Sequence, residues 1–340
     1  MEKSSFDFRT RRGFLAGAAA FGVSALAGVS GHAWAELPPE KRSVRLVRNT
    51  AICLAPQYLA EELLLLEGFS EVVYVDQGTD SDPHVVVASG RADITMDGAT
   101  ALVPALDRSQ PLTIVAGIHG GCYELFTSDR VRSILDLRGR SVGVWAIGAA
   151  DHIYIASMMA YVGLDPRTFV SWVPTGTFDG PMKLLEEGKV DAFLGFPPLP
   201  QIARAKRIGR LLVDTAHDRP WSQHFCCMLA GHREFVRRNP VATKRVLRAF
   251  LKSADVCARQ PEQVARYLVT KGYETDYNIA LTVVKDVQYN AWRAFDPGDT
   301  LRFHALRLHD VGMIATTPND LVNEGTNWRF LEALKKELKA

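Results

Sequence analysis

The feature that most constrains the fold is a short phrase that occurs twice. Gly90-Arg91-Ala92-Asp93 and Gly188-Lys189-Val190-Asp191 each follow a predicted helix and open a predicted strand. In each phrase, glycine supplies the left-handed residue that ends the helix, and the basic residue lies just past the negative helix end. Each strand then ends at a glycine, Gly98 or Gly195. This repetition predicts two similarly built α/β lobes with largely parallel sheets.

The surrounding pattern alternates short apolar runs with helical stretches. A strand is predicted over 43–48, and Pro56 fits the first turn of a helix over 57–67 that Gly68 ends. After Trp221 the pattern changes, with a strand over 225–230 followed by long helices. The change predicts that the chain enters a different part of the fold there.

Length and charge exclude several classes of protein. The chain has 340 residues, enough for two domains, and its 40 basic and 38 acidic residues give a net charge of +2. This near balance argues against disorder and against nucleic-acid binding by bulk positive charge. No Cys-x-x-Cys pair is present, so a zinc ribbon and a thioredoxin-type pair are excluded.

The first thirty-five residues have the pattern of an export signal. Arg11-Arg12 precedes an apolar run over 14–29, which is too short and too glycine-rich to span a bilayer, and Ala33-Trp34-Ala35 offers a cleavage site. The paired arginines are typical of twin-arginine export, which carries folded proteins. We therefore expect a periplasmic protein, cleaved near Ala35, whose remaining chain is formally neutral and monomeric.

The five cysteines are best interpreted as small buried hydrophobic residues. A nucleophile or a metal site formed by Cys122 or Cys226 near His119 or His224 is the alternative, but the spacing along the chain does not indicate one. We therefore expect no metal and no cofactor.

Several passages together resemble a known family. They are Ala55-Pro56-Gln57-Tyr58-Leu59-Ala60, Ser89-Gly90-Arg91-Ala92-Asp93, Asp136-Leu137-Arg138-Gly139-Arg140 and Glu187-Gly188-Lys189-Val190-Asp191-Ala192. In this order and spacing, over about 43–273, they resemble the periplasmic substrate-binding proteins of ABC importers for nitrate, sulfonate, taurine and thiamine precursors.

The resemblance implies a type II-like two-lobed binding-protein fold that closes on a ligand in the cleft between the lobes. Residues 36–121 and 222–340, including C-terminal helices, would form the first lobe, and residues 122–221 the second. Crossings would fall near Gly121 and Pro220. The implied partners are a small-molecule ligand and an ABC permease with its ATPase in the inner membrane.

Ligands of open α/β sheets bind beyond the carboxyl ends of strands, where helix N-termini direct N–H groups at them. Residues 54–57, 97–100, 148–152 and 195–197 fit that geometry, and His119, Trp145 and Trp221 lie at strand ends or crossings. The predicted ligand contacts are Leu54, Gln57, Gly98, Ala99, Thr100, His119, Trp145, Ala149, Ala150, Asp151, His152, Phe196 and Trp221. The alternatives are capping for Thr100, a structural role for His119 and core packing for the aromatic residues.

One departure from the sulfonate-binding pattern bears on the ligand. Those relatives tend to have serine at the start of the second-lobe helix, whereas this chain has Ala149-Ala150-Asp151. Asp151 either caps the helix or faces the cleft, where it would repel a dianion. We expect an organic solute of the sulfonate, aromatic carboxylate or thiamine-precursor type, with an apolar or aromatic portion, and not nitrate.

Two other functions stay open. A receptor that serves a membrane sensor needs the same closing cleft. A related group of enzymes makes the thiamine pyrimidine with an iron-bound cysteine-rich segment and a histidine, but Cys226-Cys227 is too sparse for that segment. No G-x-G-x-x-G, G-x-S-x-G or H-E-x-x-H motif is present, so we expect no enzymatic activity.

Overall fold

The computed structural model describes residues 36–48, 51–80 and 82–339. The predicted export signal, residues 1–35, lies outside them. Within the described ranges, no helix is long and apolar enough to cross a membrane.

The strands are β1 (Ser43–Arg48), β2 (Glu71–Asp76), β3 (Ile94–Gly98), β4 (Leu112–Gly120), β5 (Glu124–Thr127), β6 (Arg140–Val144), β7 (Val170–Pro174), β8 (Ala192–Gly195), β9 (Arg210–Asp214) and β10 (Phe225–His232). The helices are α1 (Ala55–Leu66), α2 (Pro83–Ala88), α3 (Ala99–Asp107), α4 (Ala150–Tyr161), α5 (Gly180–Glu186), α6 (Leu199–Lys206), α7 (Arg233–Arg238), α8 (Pro240–Arg259), α9 (Pro261–Thr270), α10 (Tyr277–Asp286), α11 (Pro297–Asp310), α12 (Pro318–Gly325) and α13 (Arg329–Glu337). Short 3₁₀ turns lie at Ile52–Leu54, Ile134–Leu137, Trp221–Gln223 and Ala291–Arg293.

The strands form two five-stranded sheets, and each sheet is the centre of one lobe. The first lobe has the order β2-β1-β3-β10-β4, and the second has β7-β6-β8-β5-β9. The predicted two-lobed α/β architecture is confirmed. Each sheet contains one strand that runs against its neighbours, β10 in the first and β5 in the second, because the chain enters that strand from the other lobe.

The repeated phrase has the same structural role in both lobes. The carboxylate of Asp93 accepts the backbone N–H of Arg45 at 2.9 Å, and that of Asp191 accepts the N–H of Ser141 at 3.2 Å. The backbone returns the bond, since the N–H groups of Asp93 and Asp191 donate to the carbonyls of Arg45 and Ser141. Each aspartate therefore joins the start of its own strand to the neighbouring parallel strand.

The two crossing segments touch where the chain passes between the lobes. The N–H of Tyr123 donates to Oγ1 of Thr215 at 3.0 Å, and the N–H of Thr215 donates to the carbonyl of Tyr123 at 3.0 Å. A Cβ on Gly121 would lie 2.3 Å from Cα of Ala216. Glycine is required at this position because no side chain fits between the two backbones.

The main apolar core runs through both lobes, and a smaller cluster packs α5 and α6 against the second sheet. Met96 and Leu229 are fully buried in the first sheet, and Phe126 stacks on Phe193 in the smaller cluster with ring centroids 5.4 Å apart. Both lobes are therefore packed bodies on which a cleft between them can be built.

A buried arginine on α8 holds the start of the described chain against the first lobe. Arg248 is 6% exposed and pairs with Glu67 at 2.5 Å, Glu36 at 2.8 Å and Glu337 at 2.6 Å. Its guanidinium fork suits several carboxylates at once. The cluster thus joins the N-terminal segment, α1, α8 and α13.

Candidate functional site

A cleft lies between the lobes at the carboxyl ends of their parallel strands. Its lining is drawn from both lobes and from the first crossing segment. The lining residues are Ala51, Cys53, Leu54, Gln77, Asp82, Pro83, Asp97, Gly98, Cys122, Tyr123, Trp145, Ala150, Asp151, Phe196 and Cys227. This is the position at which α/β sheets bind ligands.

The first residue of α4 bridges the two sides of the cleft. The N–H of Ala150 donates to Oδ1 of Asp82 at 3.2 Å, and the hydroxyl of Thr100 donates to the carbonyl of Ala150 at 3.3 Å. Gly98 permits this approach, since a Cβ there would lie 3.3 Å from both Cβ of Ala150 and the hydroxyl of Tyr123. The described conformation is therefore a closed one.

Two further contacts hold the lobes together away from the cleft. Arg204 on α6 pairs with Asp286 on α10 at 2.5 Å, and Ser157 on α4 lies 2.9 Å from Nδ1 of His304 on α11. Opening the cleft would break these contacts as well as those of Ala150. Closure is thus stabilised by polar contacts at several separate points.

Asp151 occupies the N-terminal end of α4, where an anion would otherwise bind. Its carboxylate accepts the N–H of Trp145 at 2.7 Å and that of His152 at 2.9 Å. Burial nevertheless raises the pKa of Asp151 to about 6. Burial also lowers the pKa of His152 to about 4, and its Nδ1 accepts the N–H of Gly148 at 3.1 Å. The N–H groups of Trp145, Gly148 and His152 are therefore taken by the protein itself.

A second buried carboxylate lines the cleft on the side of the first lobe. The carboxylate of Asp97 accepts the N–H of Gly98 at 2.6 Å. It also accepts the backbone N–H of His84 at 2.8 Å and lies 2.7 Å from Nδ1 of the same histidine. Burial would lower the pKa of His84, but the bond to Asp97 and its negative charge raise it. With Asp82 and Asp151, three carboxylates line the cleft, and none of its described lining residues is a lysine or an arginine.

Aromatic rings form one wall of the cleft. Phe196 packs edge-on against Tyr123 at 5.5 Å and against Phe178 at 4.9 Å between ring centroids, and Trp145 approaches Phe178 at 6.4 Å. These edge-to-face arrangements fix the rings and leave faces for a planar ligand. The cleft thus combines aromatic surface with hydrogen-bond acceptors.

Three thiols and an imidazole meet at the floor of the cleft. Cys53, Cys122 and Cys227 line it, His119 lies beside them, and their ligand atoms all lie within 4.8 Å of one another. All four side chains are buried, with His119 fully so. Burial alone would lower the pKa of His119, but the negative charge that Cys227 and Cys53 can carry raises it.

Some of the residues predicted from the sequence line the cleft. They are Leu54, Gly98, Trp145, Ala150, Asp151 and Phe196. Their grouping follows from the rule that strand ends and helix starts meet at one edge of a sheet. Their contact with a ligand stays a prediction.

The other predicted residues lie outside that lining. Gln57 is fully buried and uses its amide to join β1 and β3. His152 lies edge-on to Trp172, with ring centroids 4.5 Å apart, and Trp221 packs at 5.7 Å against Tyr161. Ala99 and Ala149 are buried at the starts of α3 and α4. Thr100 and His119 are buried beside the lining through the contacts given above.

Other lining residues were missed by sequence reasoning. Asp82 precedes a helix start, a position in which an acidic residue normally signals a cap, and Tyr123 lies in a crossing segment. Asp97 falls in the predicted range 97–100 but was not named as a ligand contact. The thiol cluster left one signal in the sequence. His119-Gly-Gly-Cys122 puts two metal-ligating residues three apart at the end of a buried strand.

Comparison with known proteins gives the following similarities. A family model described as NMT1/THI5 like matches residues 68–264. A 4-amino-5-hydroxymethyl-2-methylpyrimidine phosphate synthase of Saccharomyces cerevisiae is 23% identical over 205 residues, covering 56% of this chain and 59% of the relative. The synthase of that name from Candida albicans is 21% identical over 229 residues, covering 62% of this chain and 66% of the relative. The chain thus matches 59% to 66% of the length of these curated relatives.

Solved structures match over more of the chain. The periplasmic nitrate-binding protein NrtA of Synechocystis has a TM-score of 0.73 at 14% identity, covering 89% of this chain and 90% of that one. The alkanesulfonate-binding protein SsuA of Xanthomonas axonopodis, bound to MOPS, has a TM-score of 0.67 at 14% identity, covering 85% and 99%. These similarities show a shared fold.

Proposed function

Because the chain belongs to the NMT1/THI5-like family, whose model matches residues 68–264, we propose that it is an extracytoplasmic solute-binding protein. In this proposal it captures a small organic solute in the cleft and delivers it to an ABC permease and its ATPase. The fold shared with nitrate- and alkanesulfonate-binding proteins supports this proposal. Capture involves no chemical change of the solute.

The observation that carries the proposal is the position of the cleft. Its lining comes from both lobes, and the lobes close on it through Asp82, Thr100 and Ala150. A solute that contacts both lobes stabilises the closed form relative to the open one, which is the change a permease can recognise.

The charges of the cleft favour one class of solute. Three carboxylates line it, and its described lining contains no cationic side chain that would pair with a sulfonate or a carboxylate. The N–H of Ala150 is already taken by Asp82 and that of Trp145 by Asp151. Of the solutes predicted from the sequence, we therefore favour the thiamine-precursor type, a planar aminopyrimidine whose N–H groups donate to carboxylates while its ring lies against aromatic side chains.

Calorimetric titration tests the solute class. We expect saturable one-to-one binding of 4-amino-5-hydroxymethyl-2-methylpyrimidine, and none of nitrate or MOPS at the same concentrations. Replacing Trp145 by alanine should weaken the affinity about fivefold, because an aromatic face is worth on the order of 1 kcal/mol. Trp328→Ala, at the start of α13 and outside the lining, is the matched control. Tight nitrate or sulfonate binding without a response to the pyrimidine would overturn the assignment.

Small-angle scattering tests the capture mechanism. The solute-free protein should sample open forms, and saturation should reduce its radius of gyration because the lobes close. Equal compactness with and without a solute that demonstrably binds would contradict closure.

A second candidate is an enzyme, favoured by the synthase names of the curated relatives. Mass spectrometry of the bound fraction separates the two candidates. A binding protein returns the added pyrimidine unchanged, whereas a synthase of the named type carries or forms a phosphorylated pyrimidine.

A further inference from the structure

The thiol cluster at the floor of the cleft assembles residues from separate parts of the chain. Cys53 belongs to the 3₁₀ turn before α1, His119 to β4, Cys122 to the first crossing and Cys227 to β10. His119 and Cys227 face each other as partners across the sheet, beside a bulge in β10. Bulges redirect side chains, and here the redirected thiol joins the other three groups.

His119 is oriented as a metal ligand would be. Its Nδ1 lies 3.0 Å from the carbonyl of Gly120, so the tautomer with the proton on Nδ1 donates there. Its Nε2 is buried, and the hydrogen-bonding groups that the ring meets on that side are the thiols of Cys53 and Cys227. A ring nitrogen fixed by a bond to a backbone carbonyl is the usual arrangement of a metal-binding histidine.

The backbone around the cluster is held in place by neighbouring contacts. The hydroxyl of Tyr289 donates to the carbonyl of Cys53 at 3.1 Å, and the N–H of Gly120 donates to the carbonyl of Gln288 at 3.2 Å. Cys122 lies between Gly121, which is packed on the second crossing, and Tyr123, which is bonded to it. The four groups are thus presented by a scaffold that does not depend on an ion.

We propose that Cys53, His119, Cys122 and Cys227 bind one thiophilic divalent cation, with Zn²⁺ the best match. Three cysteines and one histidine are an established tetrahedral zinc set, and soft sulfur ligands select such metals over Mg²⁺ or Ca²⁺. In a tetrahedron with metal–sulfur bonds of about 2.3 Å the ligand atoms lie roughly 3.8 Å apart. The observed limit of 4.8 Å therefore requires only a small contraction. On binding, each thiol releases its proton to solvent, and no electrons are transferred.

The site differs from a cysteine-rich segment. Only Cys227 comes from the Cys226-Cys227 pair, and the other three ligands come from different elements of the first lobe and its crossing. A bound cation would form part of the floor of the solute cleft and fix the first crossing to β4 and β10.

Cobalt spectroscopy tests the site. The full-length chain, purified reduced and metal-free, is titrated with Co²⁺ and then with Zn²⁺. We expect one equivalent of Co²⁺ to produce thiolate-to-metal charge-transfer absorption and tetrahedral d–d bands, and one equivalent of Zn²⁺ to remove them. Absence of these bands in the unaltered protein would overturn the proposal, whatever the behaviour of any variant.

Variants locate the ligands. Cys53→Ser and His119→Gln should each weaken Co²⁺ binding at least about tenfold, since even the loss of a group that supports a ligand costs that much. Cys257→Ser, a buried thiol on α8 outside the cluster, is the matched control and should retain the bands. Circular dichroism confirms that each variant is folded. An equal loss of Co²⁺ affinity in Cys257→Ser would contradict the assignment. So would a disulfide between two of the three cluster cysteines in protein isolated without reductant.

Discussion

Gln57 either links two strands or contacts the ligand, and its replacement by leucine tests which of the two roles it has. The side chain is fully buried; its Nε2 donates to the carbonyl of Val47 at 2.6 Å, and its Oε1 accepts the N–H of Met96 at 2.8 Å. β1 and β3 pair at Leu46 and Ile94, so the amide continues the connection further along the two strands. The structure therefore gives Gln57 the role of a link between strands.

The size of the effect follows from the groups left behind. Gln57→Leu keeps the volume but leaves the Val47 carbonyl and the Met96 N–H buried without this partner, at about 1–3 kcal/mol each. The added apolar surface offsets roughly 1 kcal/mol. We expect the free energy of unfolding to fall by about 1–5 kcal/mol, which at a urea m-value of about 3 kcal/mol/M lowers the midpoint by about 0.3–1.7 M.

Urea unfolding followed by circular dichroism measures this change, with Gln263→Leu on the exposed side of α9 as the control. The control should stay within about 0.5 kcal/mol of the unaltered protein. The affinity for the solute should be unchanged in folded Gln57→Leu. A variant of normal stability that binds the solute more weakly would refute the reasoning and restore Gln57 as a ligand contact.

Three further changes test other parts of the structure. Gly121→Ala should lower the free energy of unfolding by about 1–3 kcal/mol, because its Cβ would meet the backbone of Ala216. Gly120→Ala should cost less, because its Cβ would meet the side chain of Gln288, which can move. Equal melting temperatures of the two variants would contradict this. Asp191→Ala should destabilise the protein at neutral pH by about 1–3 kcal/mol. Burial would raise the pKa of Asp191, but the hydrogen bonds donated to its carboxylate and a nearby arginine hold that pKa below its usual range. The carboxylate therefore contributes its full stabilisation above a pH of about 4 and loses it as the pH falls through the lowered pKa of the folded protein. When unfolding is measured from neutral to acidic pH, the difference in the free energy of unfolding between Asp191→Ala and the unaltered protein should shrink. A difference that stays constant would count against this role of Asp191. Arg248→Met should lower the free energy of unfolding by about 2 kcal/mol in chemical denaturation, because the buried carboxylate of Glu67 then keeps only its ion pair with Lys252 at 3.2 Å, and Arg248→Lys should recover part of this.

Much of the fold was predictable because local signals and tertiary structure agree. The strand over 43–48 and the helix after Pro56 are present as β1 and α1, and the repeated glycine phrases open β3 and β8. The short strands β5 and β9 were not recognised. Glu124–Thr127 has only four residues and Arg210–Asp214 has charged ends, so neither shows a clear period of two.

The site was predictable only where backbone geometry defines it. Trp145 and Asp151 follow from the rule that strand ends and helix starts face the cleft. The roles of Gln57 and Asp97 were not predictable, since nothing local tells whether a buried polar side chain turns to a neighbouring strand or to a ligand. The thiol cluster depends on the pairing of β10 with β4, which brings Cys227 opposite His119 across a long stretch of chain.

The place of β10 in the first sheet also determines the order in which the lobes can be completed. β10 lies between β3 and β4, yet it leaves the ribosome only after the whole second lobe. Until then β3 and β4 lack the partner that separates them, whereas the second sheet is encoded without interruption from Glu124 to Asp214. The lobe that begins first is therefore finished last, and a chain that stops before Phe225 has a complete second sheet beside two unpaired strand edges.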